Sequence, residues 1–260
     1  MKPLRLALIQ MASGPDPDAN MARVAAWISA CPEVDLIALP EVFAVRCARE
    51  RVREWAEPLT GPMLGRLQAL AQEKKTWILA GSMLEANASA RPCNTSVLID
   101  RGGRAAAVYR KIHLFEACLD DGTRIREADV YTPGTHPVMA EMESWKAGLS
   151  ICFDVRFPDL YGGYAQQGAD LLFVPSDFTR ETGRAHWEPL LRARAIENRC
   201  FVVAPNQCGT HPGTGVTSYG RSMAVGPWGD ILCQSSETGE GPSFATLDPA
   251  DLIRARARLP

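Results

Sequence analysis

From Ala147 onward, apolar strand-like runs alternate with helical spacings: strand 147–151, helix near 157–167, strand 170–174, helix 186–199, strand 200–204. Such alternation is the pattern of βα units, in which a helix carries the chain back to start a parallel neighbour, and it places the chain in the α/β class. The first half is compatible with that class. Leu4 to Gln10 reads as a short strand, and Asn20 to Ala30 carries Met21, Val24, Ala25 and Ile28 at helical spacing. Asp35 to Leu39 is a buried-strand candidate that Pro40 stops. A helix from Pro62 to Glu73 precedes a strand from Thr76 to Gly81, and Asn94 to Asp100 with Ala105 to Tyr109 reads as an edge or hairpin region. The last third turns strand-like at Ser222 to Val225, Ile231 to Gln234 and Phe244 to Leu247. No long Pro/Gly/Ser linker or internal repeat divides the chain, so residues 1–260 read as one domain.

Composition narrows the partners. Hydrophobic residues at 46% and charged residues at 22% supply a packed core without the charge density of a disordered chain. A formal charge of -2 leaves no basic excess for a nucleic-acid partner. Eight cysteines form no CxxC pair and no Cys/His cluster at zinc-like spacing, which points away from a disulfide framework or structural zinc and toward a reducing compartment. The start, Met1 to Leu6, lacks the continuous apolar region of a signal peptide. No run of about 18 apolar residues exists to span a membrane. Cytoplasm is the expected location.

Three positions carry candidate chemistry. Glu41 follows Pro40 at the carboxyl end of a strand, where sites assemble in open α/β sheets. A sheltered carboxylate there would serve as a base, and a solvated loop glutamate is the plainer alternative. Lys111, one of five lysines, follows the Ala105 to Tyr109 strand and precedes an apolar run. It suits either a fixed positive charge beside an oxyanion or a surface lysine lying along apolar neighbours. Cys152 ends the run Gly148-Leu149-Ser150-Ile151 and precedes a helix starting near Pro158. A cysteine at such a junction aims its sulfur into the strand-end crevice beside free backbone N–H groups, whereas many buried cysteines are only small hydrophobes. Of His113, His136, His186 and His211, none has a spacing that selects it as the thiol's partner, and a glutamate base with a lysine partner activates a thiol equally well.

In order and spacing, Leu39-Pro40-Glu41, Tyr109-Arg110-Lys111-Ile112-His113-Leu114 and Gly148 to Asp159 resemble the Glu-Lys-Cys islands of the nitrilase superfamily of carbon–nitrogen hydrolases. The resemblance runs from the first strand to Leu259-Pro260. It implies a four-layer α-β-β-α sandwich with both sheets inside, commonly a homodimer, and a cysteine-dependent amidohydrolase that needs no metal or organic cofactor. By position, Glu41 resembles the family's base, Lys111 its lysine, Cys152 its nucleophile and Glu127 its second glutamate. The oxyanion site would be the Lys111 ammonium with the Phe153 N–H. After the nucleophile, Phe153 to Pro158 is similar to the small-acid amidases and lacks the Trp-Glu pair of true nitrilases. Asn206 to Gly209 with Ser218 to Met223 most resembles the deaminated-glutathione amidases, although Arg184 stands where that branch usually has proline. The implied substrate is a small anionic amide, first deaminated glutathione, with Arg46, Arg180 and Arg184 as candidate carboxylate contacts. Three alternatives stay open: an ω-amidase acting on 2-oxoglutaramate, an N-carbamoyl amidohydrolase, and a catalytically silent binding or scaffold member.

Overall fold

The computed structural model describes residues 1–89, 91–118 and 124–259. Pro260, the last residue of the expected domain, lies outside them. Strand β1 (Leu4–Gln10) leads to helix α1 (Pro17–Ala30), strand β2 (Leu36–Ala38), helix α2 (Pro62–Lys74) and strands β3 (Trp77–Glu85), β4 (Cys93–Ile99) and β5 (Ala105–Arg110). A short ribbon follows, β6 (Glu116–Cys118) with β7 (Arg124–Arg126). The second half runs β8 (Val138–Met142), β9 (Trp145–Leu149), α3 (Pro158–Gln166), β10 (Leu171–Phe173), α4 (Arg180–Asn198) and β11 (Phe201–Ala204). A second ribbon, β12 (Cys208–Thr210) with β13 (Thr217–Tyr219), precedes β14 (Met223–Val225), β15 (Ile231–Gln234), β16 (Gly241–Leu247) and α5 (Pro249–Arg258).

The strands form two six-stranded sheets, ordered β16-β1-β2-β3-β4-β5 and β15-β14-β11-β10-β9-β8. Each keeps three parallel strands together, β1-β2-β3 and β9-β10-β11, and is completed by antiparallel strands. Strand alternation decides the layering. Along β1, Leu4, Leu6 and Leu8 join the cluster that also holds Ala147, Leu149, Leu172 and Val203 of the other sheet. Ala7 and Ile9 point the opposite way, onto Met21, Val24 and Ile28 of α1 and Leu64 and Leu67 of α2. On the second sheet, α3 and α4 contribute Tyr161, Tyr164, Trp187 and Leu191. Two sheets flanked by helices are therefore the architecture, as the four-layer expectation required.

Local chemistry explains the helix boundaries. Asp16 caps α1 by accepting from the Asp18 and Ala19 N–H groups, with Pro17 in the first turn, so the helix starts three residues before the expected Asn20. Thr179 caps α4 in the same manner, accepting from Thr182, and this helix begins six residues before the expected 186. The expected strand 147–151 instead ends at Leu149, because Ser150 and Ile151 already turn toward Cys152. Strand β8 and the two ribbons went unread; they are short or carry little apolar alternation.

Candidate active site

Strand ends bring the singled-out residues together. Glu41 lies just past β2, Lys111 just past β5, and Cys152 opens a 3-10 turn (Cys152–Arg156) just past β9. Glu41 is 3% exposed. Its Oε1 accepts from Lys111 Nζ at 2.9 Å and Asn94 Nδ2 at 2.8 Å, and its Oε2 accepts the Asp177 N–H at 2.7 Å. The carboxylate is thus oriented from three separate elements and is no solvated loop residue. Lys111 is 1% exposed, with Nζ 2.8 Å from Glu127 Oε2 and 2.9 Å from Glu41 Oε1. Glu127 is itself fixed, accepting the Phe115 N–H at 2.8 Å while its own N–H donates to the Phe115 carbonyl.

These charges govern one another. Burial alone would lower the Lys111 value, but the charges of Glu127 and Glu41 hold it well above the ordinary lysine range. Burial raises Glu127 despite Lys111 beside it. Burial and then the Glu41 charge push the Cys152 thiol well up, away from the thiolate form on which cysteine reactivity depends.

Cys152 adopts φ 49°, in the left-handed region that a side chain avoids. The strain costs about 1–3 kcal/mol, comparable with what burying one leucine contributes, so the surrounding core can hold it. A hydrogen bond from the Cys152 N–H to the Pro175 carbonyl at 2.9 Å fixes the bend. The Phe153 N–H stands at the start of the 3-10 turn, where a donor has no acceptor inside the turn. None of the four histidines is hydrogen-bonded to Cys152; His113 engages Asp154 instead.

A cleft opens above this centre, lined by Glu41, Asn94, Glu127, Cys152 and Phe153 with apolar walls that include Val45, Leu84, Val130 and Phe178. Of the three arginines read from the sequence, only Arg46 lines it. Its charge is answered by Asp177, 3.1 Å from Nε, and by Ser218 Oγ at 2.6 Å from Nη2. Arg180 and Arg184 approach Glu237 at 4.0 and 3.7 Å and do not line the cleft. Arg49 and Arg156 do line it, and among the described residues neither meets a carboxylate. Arg156 donates toward His186 Nδ1 at 3.2 Å and lies over the rings of Phe153 and Phe178. Its place four positions after Cys152 was a usable signal, whereas Asn94, Asp177 and Arg49 carry none. Among the described residues no cluster of His, Cys, Asp or Glu is arranged to hold a metal ion.

Comparison with known proteins adds to this geometry. The profile of the family described as carbon-nitrogen hydrolase matches residues 5–257. A deaminated glutathione amidase from Synechocystis is 38% identical over 266 residues, covering 100% of this chain and 97% of its own. Among solved structures, C. elegans NitFhit superposes with a TM-score of 0.91 at 34% identity, covering 100% of this chain and 64% of that one. Saccharomyces cerevisiae Nit3, a member of branch 10 of the nitrilase superfamily, gives 0.90 at 29% identity, covering 100% and 95%.

Proposed function

The chain belongs to the carbon-nitrogen hydrolase family, and from that premise we propose that it cleaves the amide of a small anionic acid through a thioester on Cys152, with deaminated glutathione the first-choice substrate. The observation that carries the chemistry is the buried pair Glu41 and Lys111, with half-buried Glu127 on the ammonium, beside Cys152, its thiol pushed well up by burial. Glu41 takes the thiol proton as sulfur attacks the carbonyl carbon. The Lys111 ammonium and the Phe153 N–H hold the resulting oxyanion, each such donor contributing about 3 kcal/mol when fixed in advance. Glu41 returns the proton to the leaving nitrogen, the C–N bond breaks, and a thioester remains. Water then adds to the thioester with Glu41 as base, releasing the acid and regenerating the thiol. Glu127 keeps the Lys111 ammonium in place.

Two features support the substrate class. Curated relatives at 36–38% identity act, by name, on deaminated glutathione. Arg49 and Arg156 leave two guanidinium groups in the cleft for substrate carboxylates, in place of Arg180 and Arg184. A kinetic screen of deaminated glutathione, 2-oxoglutaramate and N-carbamoyl-β-alanine tests the assignment. It should give the first a specificity constant at least about tenfold above the others, roughly 1.4 kcal/mol of preferential transition-state binding. Preference for 2-oxoglutaramate would make this an ω-amidase, and no turnover of any amide would leave a silent member.

The same reading treats residues 1–260 as one hydrolase domain acting as a homodimer in the cytoplasm. No helix among the described residues is long and apolar enough to cross a membrane, and the seven cysteines with described side chains are all free. Exposed Ile196 and Trp228, at 43% and 51%, offer apolar surface for a second copy.

A further inference from the structure

Asp154 lies two residues beyond Cys152, is fully buried, and takes no part in the steps above. Its two oxygens receive four donors. Oδ1 accepts the His113 N–H at 3.0 Å and faces His113 Nδ1 at 2.7 Å. Oδ2 accepts the Tyr109 hydroxyl at 2.7 Å and the Ile151 N–H at 2.8 Å. Because Oδ1 already accepts a backbone N–H and the group is an acceptor, Nδ1 donates. These donors are not scattered: Tyr109 and His113 stand two residues to either side of Lys111, and Ile151 immediately precedes Cys152. One carboxylate therefore joins the segment that carries the ammonium to the turn that carries the thiol. The His113 ring is clamped further by stacking on Phe157, with centroids 3.6 Å apart and planes 7° apart.

The plainer duty of a carboxylate in this setting is to cap the start of the 3-10 turn, where Oδ2 accepts the Ile151 N–H while the Asp154 N–H bonds to the Ile151 carbonyl at 3.1 Å. That local duty needs one oxygen. The other donors come from β5 and the loop after it, about forty residues away in sequence. We propose that Asp154 is a positioning residue that sets the placement of the Lys111 ammonium relative to the Cys152 sulfur, acting through Tyr109, His113 and Ile151 without touching substrate. The inference rests on Cys152 as the nucleophile and is independent of which amide is cleaved.

The test uses full-length enzyme and two readouts: steady-state kinetics on whichever amide the wild type turns over, and the rate of Cys152 alkylation by iodoacetamide followed by intact mass. Asp154→Asn that still unfolds cooperatively should lose about 100-fold in kcat, the cost of a misplacement near 1 Å, with KM changed by less than about threefold. Cys152 alkylation should change in the same variant, a readout that a purely structural role would not move. His113 supplies the control against simple misfolding. An asparagine amide can reproduce the Nδ1 donor and a glutamine amide the Nε2 position, so His113→Asn should retain clearly more kcat than His113→Gln. Unchanged kcat and unchanged alkylation in folded Asp154→Asn, or equal loss in the two His113 variants, would overturn the proposal. An inactive wild type whose Cys152 alkylation still depends on Asp154 would overturn the amidase reading and leave the positioning role standing.

Discussion

Lys111 is the only cation within hydrogen-bonding reach of both Glu41 and Glu127 among the described residues, and it ties the proposed chemistry to stability. Its value is raised on folding, so it contributes stability that is complete below the ordinary lysine range and lost as pH climbs through the higher folded value. Lys111→Met leaves the buried Glu41 and the half-buried Glu127 without a cation, a loss of about 3–5 kcal/mol at neutral pH. Burial already raises Glu127, and without Lys111 its folded value rises further. The folded variant then binds protons more tightly than the unfolded chain, so its stability falls as pH rises. Its Tm should therefore trail the wild type by a wide margin at about pH 7.5 and approach it near pH 5; parallel Tm-against-pH curves would contradict the coupling. Turnover should fall at least about 100-fold in folded Lys111→Met and in Glu41→Gln. Cys152→Ala should fold and show neither turnover nor an acyl adduct by intact mass, and persistent multiple turnover would remove the nucleophile assignment. Arg156→Gln, which deletes a charge half-buried in the cleft, should raise KM for an anionic amide about tenfold or more with little change in kcat. The opposite split would place its role in the chemical step.

At the scale of elements, the site depends on how closely strands approach one another. Gly81 of β3 lies where an added Cβ would run into the Leu39 and Pro40 backbone carbonyls, immediately before Glu41. Backbone cannot swing aside as a side-chain tip can, so Gly81→Ala should cost about 1–3 kcal/mol or more and lower turnover by displacing Glu41, the proposed base. Gly65 on α2 provides the contrast, because a Cβ there meets nothing within 4 Å. Gly65→Ala should raise stability by about 0.5–1 kcal/mol and leave turnover unchanged. Equal effects of the two substitutions in thermal unfolding and activity would show that the β2–β3 approach does not hold Glu41. The elements themselves were readable where periodicity was clean: α2 begins at Pro62 as expected, and β15 matches Ile231 to Gln234. The boundary differs where a cap set it, since Thr179 starts α4 at Arg180, six residues before the expected 186.

For the whole molecule, the proposed homodimer should appear in light scattering as twice the chain mass across the active concentration range, and a stable monomer throughout would remove it. The βα alternation determined the α/β class, and the strand-stopping Pro40 and the junction before Pro158 made Glu41 and Cys152 candidates, because those signals are written in consecutive residues. The resemblance of three ordered islands to the Glu-Lys-Cys islands of the nitrilase superfamily is what selected Glu41, Lys111 and Cys152 together. Folding decided what no local pattern contains. Asn94 and the Asp177 N–H reach Glu41 from positions 53 and 136 residues away, and Asp154 reaches His113 across 41. Which arginines face the cleft was likewise a tertiary outcome: Arg180 and Arg184 turn to Glu237, while Arg49 and Arg156 line the wall. Periodicity reports which face of an element is buried. It carries no information on which distant groups meet there, because those distances depend on how two sheets and their helices pack.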